Sequence, residues 1–179
     1  MDMERSKVYK CWDDGFVIRR MTLDDEPQVT EWWSYVIMSV DLQLTLDMRR
    51  DDQDGFYIGE MNGEMVASYC ETLVADDLKF VGDIYVLEKY RMLGFARRMI
   101  TTAYEIGERR NWTGIIGLNA VPNLESMYEK FGYKTAYNTT LYEGTVSTSA
   151  NRQGFRSDIR EVNLVLKLLS QSVMDSGVS

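Results

Sequence analysis

Apolar residues follow two rhythms along this chain, and the changes of rhythm mark out its elements. Phe16 to Met21 is a short apolar and β-branched run, followed by Thr22 and then Asp24, Asp25 and Glu26. That order places a capping hydroxyl and acids where the positive end of a helix wants them, so a strand feeding a helix is predicted. In the helix Val29, Trp33, Val36 and Val40 recur at helical spacing as the core face, with Trp32, Tyr35 and Ser39 on an adjoining face. A second short helix is expected over Leu44 to Arg50, ended by Asp51, Asp52, Asp54 and Gly55. Phe56 to Met61 and Glu64 to Leu73 alternate as strands do, and the Asn62-Gly63 pair between them signals a type I′ hairpin. Lys79 to Leu87 reads as a further strand. Phe95 to Arg110 reads as a long helix with Ala96, Met99, Ile100, Ala103 and Ile106 inward.

The second part of the pattern is less regular. Thr113 to Asn119 suits a buried strand, Asn123 to Phe131 a helix stopped by Gly132, and Tyr133 to Val146 a strand or hairpin arm. Ser147 to Gly154 has the composition of a loop. Beyond it two readings stay open: Asp158 and Glu161 suit a capping box before a helix faced by Ile159, Val162, Leu166 and Leu169, whereas Val162, Leu164, Leu166 and Leu168 alternate. The order of elements argues for a mixed α/β sheet sandwiched by helices.

Composition narrows the chemistry. The 179 residues are 45% hydrophobic, enough for one packed core. Cys11 and Cys70 lie far apart and form no Cys-x-x-Cys pair, so both are expected as reduced thiols; with no apolar run of about 18 residues, a cytoplasmic protein without a membrane span is expected. A formal charge of −8 is the wrong sign for binding nucleic acid. The chain has no histidine, which removes Ser-His-Asp, Cys-His and His-Glu-x-x-His chemistry, and no metal site is expected.

One stretch points to a ligand. In Ile84-Tyr85-Val86-Leu87-Glu88-Lys89-Tyr90-Arg91-Met92-Leu93-Gly94-Phe95-Ala96-Arg97-Arg98 a strand ends, basic residues gather, and small residues at Gly94 and Ala96 bring the backbone close to a helix entrance. Uncapped amides and the helix dipole make an anion site there, with Arg91, Arg97 and Arg98 adding positive charge to an acidic chain. On spacing alone, Gly94 as a simple turn and the arginines as a solvated helix end is an equal reading. The loop lacks the full glycine pattern of either nucleotide-binding motif.

The stretch resembles the Arg/Gln-x-x-Gly-x-Gly/Ala signature of the GNAT acetyltransferases, which in that family lies between strand four and helix three. Here it reads Arg91, Gly94 and Ala96, with Met92 where an extra glycine is often found. Downstream, Gly117 to Pro122, Tyr128-Glu129-Lys130-Phe131-Gly132-Tyr133 and Tyr142-Glu143-Gly144 resemble the family's second half, especially a subgroup of two-part proteins in which a diverged module follows. The likeness covers Phe16 to Val146, and implies a GNAT domain over 1–150 with 151–179 as a closing segment or the start of a second module.

The resemblance implies an α/β (α+β) fold with a mixed, mostly antiparallel sheet of about six or seven strands, about four flanking helices, and a splay between strands four and five. It implies acetyl-CoA, or another acyl-CoA, as cosubstrate. The backbone of Ile84 and Val86 would pair with the pantetheine arm, the Ile84 or Tyr85 amide would face the thioester carbonyl, and amides of Met92, Leu93, Gly94, Phe95, Ala96 and Arg97 would hold the pyrophosphate beside Arg91. Tyr128 matches the tyrosine that protonates the departing thiolate, the other reading being a core aromatic. The family's base slot falls on Gly82, which cannot accept a proton. Asp83 is adjacent but, by alternation, faces the other side of the sheet unless a bulge rotates it; Asp83 and Glu71 are the remaining carboxylate candidates beside Glu88 and a water chain. Trp32 and Tyr35, with Met38, and Tyr69 on the next strand would wall an acceptor pocket for a small amine. The implied activity is acyl transfer to a primary amine by a monomer or homodimer. The alternatives are a non-catalytic acyl-CoA-binding sensor or interaction module, and a protein lysine or N-terminal acetyltransferase.

Overall fold

The computed structural model describes residues 6–35, 47, 49, 52–143 and 160–170. They gather into two compact units, one running through Ile116 and one from Gly117.

The first unit is built on five strands in spatial order β1 (Val8–Cys11), β2 (Phe16–Arg20), β3 (Phe56–Met61), β4 (Glu64–Ala75) and β5 (Leu78–Val86), each antiparallel to its neighbour. Strand β1 was not legible in the pattern. It is four residues long, with one charge, and is held by pairing to β2, Lys10 opposite Ile18 and Cys11 opposite Val17. The β3–β4 turn has Asn62 at φ 51° and Gly63 at φ 84°, the two left-handed positions that a type I′ hairpin requires.

Helix α1 (Glu26–Ser34) starts where the acids predict. The Asp25 carboxylate accepts the Thr22 amide at 2.8 Å and the Thr22 hydroxyl at 2.9 Å, and takes both Nη atoms of Arg19 at 2.6 and 2.8 Å. Pro27 in the first turn gives up an amide that would have had no partner there. Val29 and Trp33 are buried as expected. Trp32 is buried too, against the expected adjoining face, because its ring stacks on Tyr85 of β5 with centroids 5.2 Å apart. Together with Met21, Phe56, Ile58 and Cys70 these residues form the core on one face of the sheet, and Trp33 Nε1 donates to Ser68 Oγ at 3.0 Å. Each such large side chain contributes on the order of 1.5–3 kcal/mol by leaving water. Val36, Val40, Met38, Ser39 and most of the expected 44–50 helix lie outside the described residues; Asp47 and Arg49 are helical, and Arg49 pairs with Glu26 at 2.7 Å.

Helix α2 (Phe95–Arg109) buries Phe95, Met99, Ile100, Ala103 and Ile106 and leaves Ala96 half-buried. Phe95 stacks on Phe16 at 4.2 Å. Gly59 lets Phe16 come this close: a Cβ there would lie 2.8 Å from the Phe16 ring.

The second unit holds β6 (Ile115–Ala120), which begins on the last residues of the first, then α3 (Glu125–Glu129), β7 (Lys134–Glu143) and β8 (Arg160–Ser170), with strand order β6-β8-β7. The segment with two open readings is a strand, antiparallel to β7, so its alternation and not its helical spacing was the true signal. Helix α3 is shorter than expected because a 3-10 turn at Pro122–Leu124 takes its start; Gly132 at φ 89° ends it as expected.

Candidate active site

The chain leaves β5 through a 3-10 turn at Glu88–Tyr90 and enters α2 at Gly94, whose φ of 83° is left-handed. No side chain caps that helix start, so the first-turn amides are left for a ligand or water. Met92 also has a left-handed φ, 64°, and its side chain is 100% exposed. A non-glycine residue held there costs on the order of 1–2 kcal/mol. Arg91 Nε donates to the Val86 carbonyl at 3.1 Å. Lys89 and Tyr90 reach the two carboxylate oxygens of Glu64 at 2.7 and 2.9 Å and tie the turn to the β3–β4 hairpin. Arg98, counted among the anion-binding arginines from sequence, is turned elsewhere. It pairs with Asp14 at 2.7 and 3.0 Å and lies over the rings of Trp12, Phe16 and Phe95. Arg91 and Arg97 remain exposed on the loop side.

Strand β5 carries the second feature. Tyr69 faces Ile84 and Glu71 faces Val81, so one residue of β4, Cys70, lies opposite two of β5, Gly82 and Asp83. This is a β-bulge, and it breaks the alternation that would have sent Asp83 to the other side. Asp83 instead joins the face of Cys70, Tyr85 and Trp32. It is 8% exposed, and burial alone pushes its carboxyl up to about 6. Among the described residues no hydrogen bond or ion pair reaches that carboxylate.

Glu71 and Tyr69 take the opposite face. Glu71 accepts Lys79 Nζ at 2.7 Å and Tyr69 Oη at 2.9 Å, and Tyr69 stacks on Tyr57. The structure therefore brings Trp32 and Asp83 onto one face and separates Tyr69 and Glu71 from them, which the hairpin pattern did not reveal. Tyr35 sits at the C-terminal end of α1 with its ring 70% exposed. In the second unit Tyr128 is buried on α3, edge-on to Tyr133, and burial pushes its phenol up to about 12.

Residues 12–133 match the model of the acetyltransferase (GNAT) family. The chain belongs to that family. It is 28% identical over 123 residues to the holothin acyltransferase of a Pseudoalteromonas species, a stretch covering 69% of this chain. The chain spans about 40% of the length of that curated relative. The GNAT fold is also seen in Arabidopsis thaliana Naa50 in complex with the bisubstrate analogue CoA-Ac-MVNAL (TM-score 0.66, 12% identity, 87% of this chain and 99% of that one). A GNAT acetyltransferase of Elizabethkingia anophelis with acetyl-CoA bound gives a TM-score of 0.58 at 12% identity over 88% of this chain and 99% of its own. At these identities the structures speak for the α/β fold alone.

Membership in the GNAT family leaves open which residues act. By alternation the sequence set Asp83 on the other side of the sheet unless a bulge rotated it, and it read Cys70 as no more than a reduced thiol. The signal that was available was Gly82, a glycine in the interior of a strand, the usual mark of a bulge or a close approach.

Proposed function

We propose that this GNAT protein transfers an acetyl or other short acyl group from acyl-CoA to the primary amine of a small molecule, by direct attack in a ternary complex. The observation that carries the reading is Asp83, a buried carboxylate with no partner among the described residues, on the strand that leads into the uncapped helix start. A group kept at about 6 is mostly ionised at neutral pH and still basic enough to take a proton from an ammonium.

The residues present fit an acyl-CoA. Amides from Met92 to Arg97, with Arg91 and Arg97, would hold its pyrophosphate, and the backbone of Ile84 and Val86 would align its pantetheine arm, with the Ile84 or Tyr85 amide as oxyanion donor. The cosubstrate supplies the thioester. Asp83 accepts the proton of the acceptor amine, directly or through one water, as nitrogen bonds to the acyl carbon and the carbon–sulfur bond breaks. Tyr128, on the second unit, is the residue to which the family likeness assigns protonation of a departing thiolate, a role that suits a phenol pushed by burial up to about 12. The stacked Trp32–Tyr85 pair, on the Asp83 face, and exposed Tyr35 form an aromatic wall suited to an amine carrying apolar or cationic groups. Glu71 and Tyr69, already bonded to Lys79 and to each other, serve as structure.

Titration calorimetry with acetyl-CoA, followed by thiol release in a panel of small amines and peptide N-termini, tests this. Saturable binding with turnover on small amines supports it. Turnover on peptides alone would move the acceptor class to protein amines, tight binding without turnover would leave a sensor, and no binding at millimolar ligand would end the reading.

A further inference from the structure

A bulge needs a cause, and in β5 it is visible in the packing. A Cβ built on Gly82 would lie 2.7 Å from Cys70 Sγ, closer than any real contact allows. The same sulfur accepts the backbone N–H of Asp83 at 3.1 Å. Cys70 is itself fully buried in the core cluster of Met21, Val29, Trp32, Trp33, Phe56 and Ile58. The sulfur thus occupies the space that any side chain at residue 82 would need, and its lone pair holds the next amide in the bulged geometry.

We propose that Gly82 and Cys70 form a packing lock that positions Asp83, making both of them positioning residues for acyl transfer. The proposal rests on the reading of Asp83 as the proton acceptor. It explains why a glycine stands in the slot where relatives of this shape would be expected to carry the acid: the bulge moves that duty one residue along. The lock also sets what Asp83 feels. Facing it are the Cys70 thiol on β4, kept protonated by burial and by the nearby carboxylates, and Tyr85 on its own strand. Helix α1 brings Trp32 and Trp33 to that face, while its acids Glu26 and Glu31 are engaged with Arg49 and Gln28. The Glu71–Lys79 pair is turned to the opposite face. Among the described residues no cation faces it, and burial raises its carboxyl, so a bulge that relaxes should be seen in a pH profile.

The test is a cycle of Gly82→Ala, Cys70→Ala and the double variant, with Cys70→Ser and Asp83→Asn as controls. It is read as kcat/KM against pH and as acetyl-CoA affinity by calorimetry. Gly82→Ala should lose about 10- to 100-fold in kcat/KM, as expected for a reacting group displaced by a fraction of an ångström, with the acidic limb shifted from near pH 6 and acetyl-CoA affinity kept. Cys70→Ala should lose less, and Cys70→Ser, which keeps an acceptor for the Asp83 amide, less again. The double variant should recover most of the Gly82→Ala loss, because the new methyl then fits the space the sulfur leaves. Additive losses, or an acidic limb that stays in place in Gly82→Ala and in both Cys70 variants, would overturn the lock. Should Gly82→Ala fail to fold, a folded and active double variant supports the lock, and a double variant that also fails, beside folded Cys70 variants with an unmoved limb, overturns it. If Asp83→Asn keeps the full rate and pH profile, the underlying reading is what has failed; a loss confined to the lock variants' additivity leaves that reading standing.

Discussion

Glu71 and Asp83 are buried carboxylates on neighbouring strands of one sheet, and the fold treats them in opposite ways. Glu71, 3% exposed, has Lys79 on one oxygen and Tyr69 on the other. Asp83 is buried almost as deeply with neither. Taking a carboxylate out of water costs several kcal/mol unless partners replace the lost hydration, and β4 and β5 provide those partners on one face only. The bulge assigns each acid its face. Pairing marks the first as part of the architecture. A buried carboxylate with no partner among the described residues is what the proposed role as proton acceptor asks of the second.

The strongest way to break this contrast is Asp83→Asn. The substitution keeps the shape and removes the proposed proton acceptor, so kcat should fall by about 10²- to 10⁴-fold, and the acidic limb of the profile should vanish. The sign follows from the role: the base works when ionised, so wild-type kcat/KM should decline as pH drops through about 6. A near-normal rate in the variant would put Asp83 beside Glu71 among the structural groups. Lys79→Met reverses the experiment. It leaves Glu71 charged and half-partnered in the interior, and about 3–5 kcal/mol of stability should disappear in urea unfolding at neutral pH, with the acidic limb unmoved. A shift of that limb would mean that the two faces of the sheet share one proton network.

Legibility followed the range of the interactions. The Asn62-Gly63 hairpin and the 95–110 helix are written in neighbouring residues, and both were found close to their observed ends. Trp32 was misplaced because helical spacing gives a direction and not a reach; the indole spans to Tyr85, fifty-odd residues away in sequence. Strand β1 escaped because pairing, not apolar content, holds it. Arg98 looked like a phosphate ligand until its partner Asp14, 84 positions distant, came beside it. The bulge was the least legible feature. An extra residue in one strand is defined only against the register of the other, so Gly82 could hint at it but could not say which way Asp83 turns.

Tyrosines repeat the contrast at lower amplitude. Tyr57 and Tyr128 both have phenols raised chiefly by burial, yet Tyr57 donates to the Asp54 carbonyl on the Glu71 face. Tyr128→Phe should lower turnover by about 10- to 1,000-fold with acetyl-CoA affinity nearly intact, whereas Tyr57→Phe should cost about 1 kcal/mol of stability and little turnover. Equal loss of cosubstrate binding in Tyr128→Phe would make it a core aromatic like Tyr57.

The smallest effect is expected at Met92, and it asks whether the Asp83 site is independent of the anion loop. Replacing Met92 by Gly relieves a left-handed φ of 64° on a side chain that touches nothing, which favours the folded state by about 1 kcal/mol. Glycine also frees the unfolded chain by about 0.4–1 kcal/mol, so the two terms nearly cancel. Stability in urea should therefore move by less than about 1 kcal/mol. A loop that is looser before binding must be ordered by the ligand, so KM for acetyl-CoA should rise a few-fold while kcat and its acidic limb stay in place. If the limb moved with the loop, the bulge at Gly82 and Asp83 would be answering to the helix entrance, and the local account of its basicity would have to yield to a coupled one.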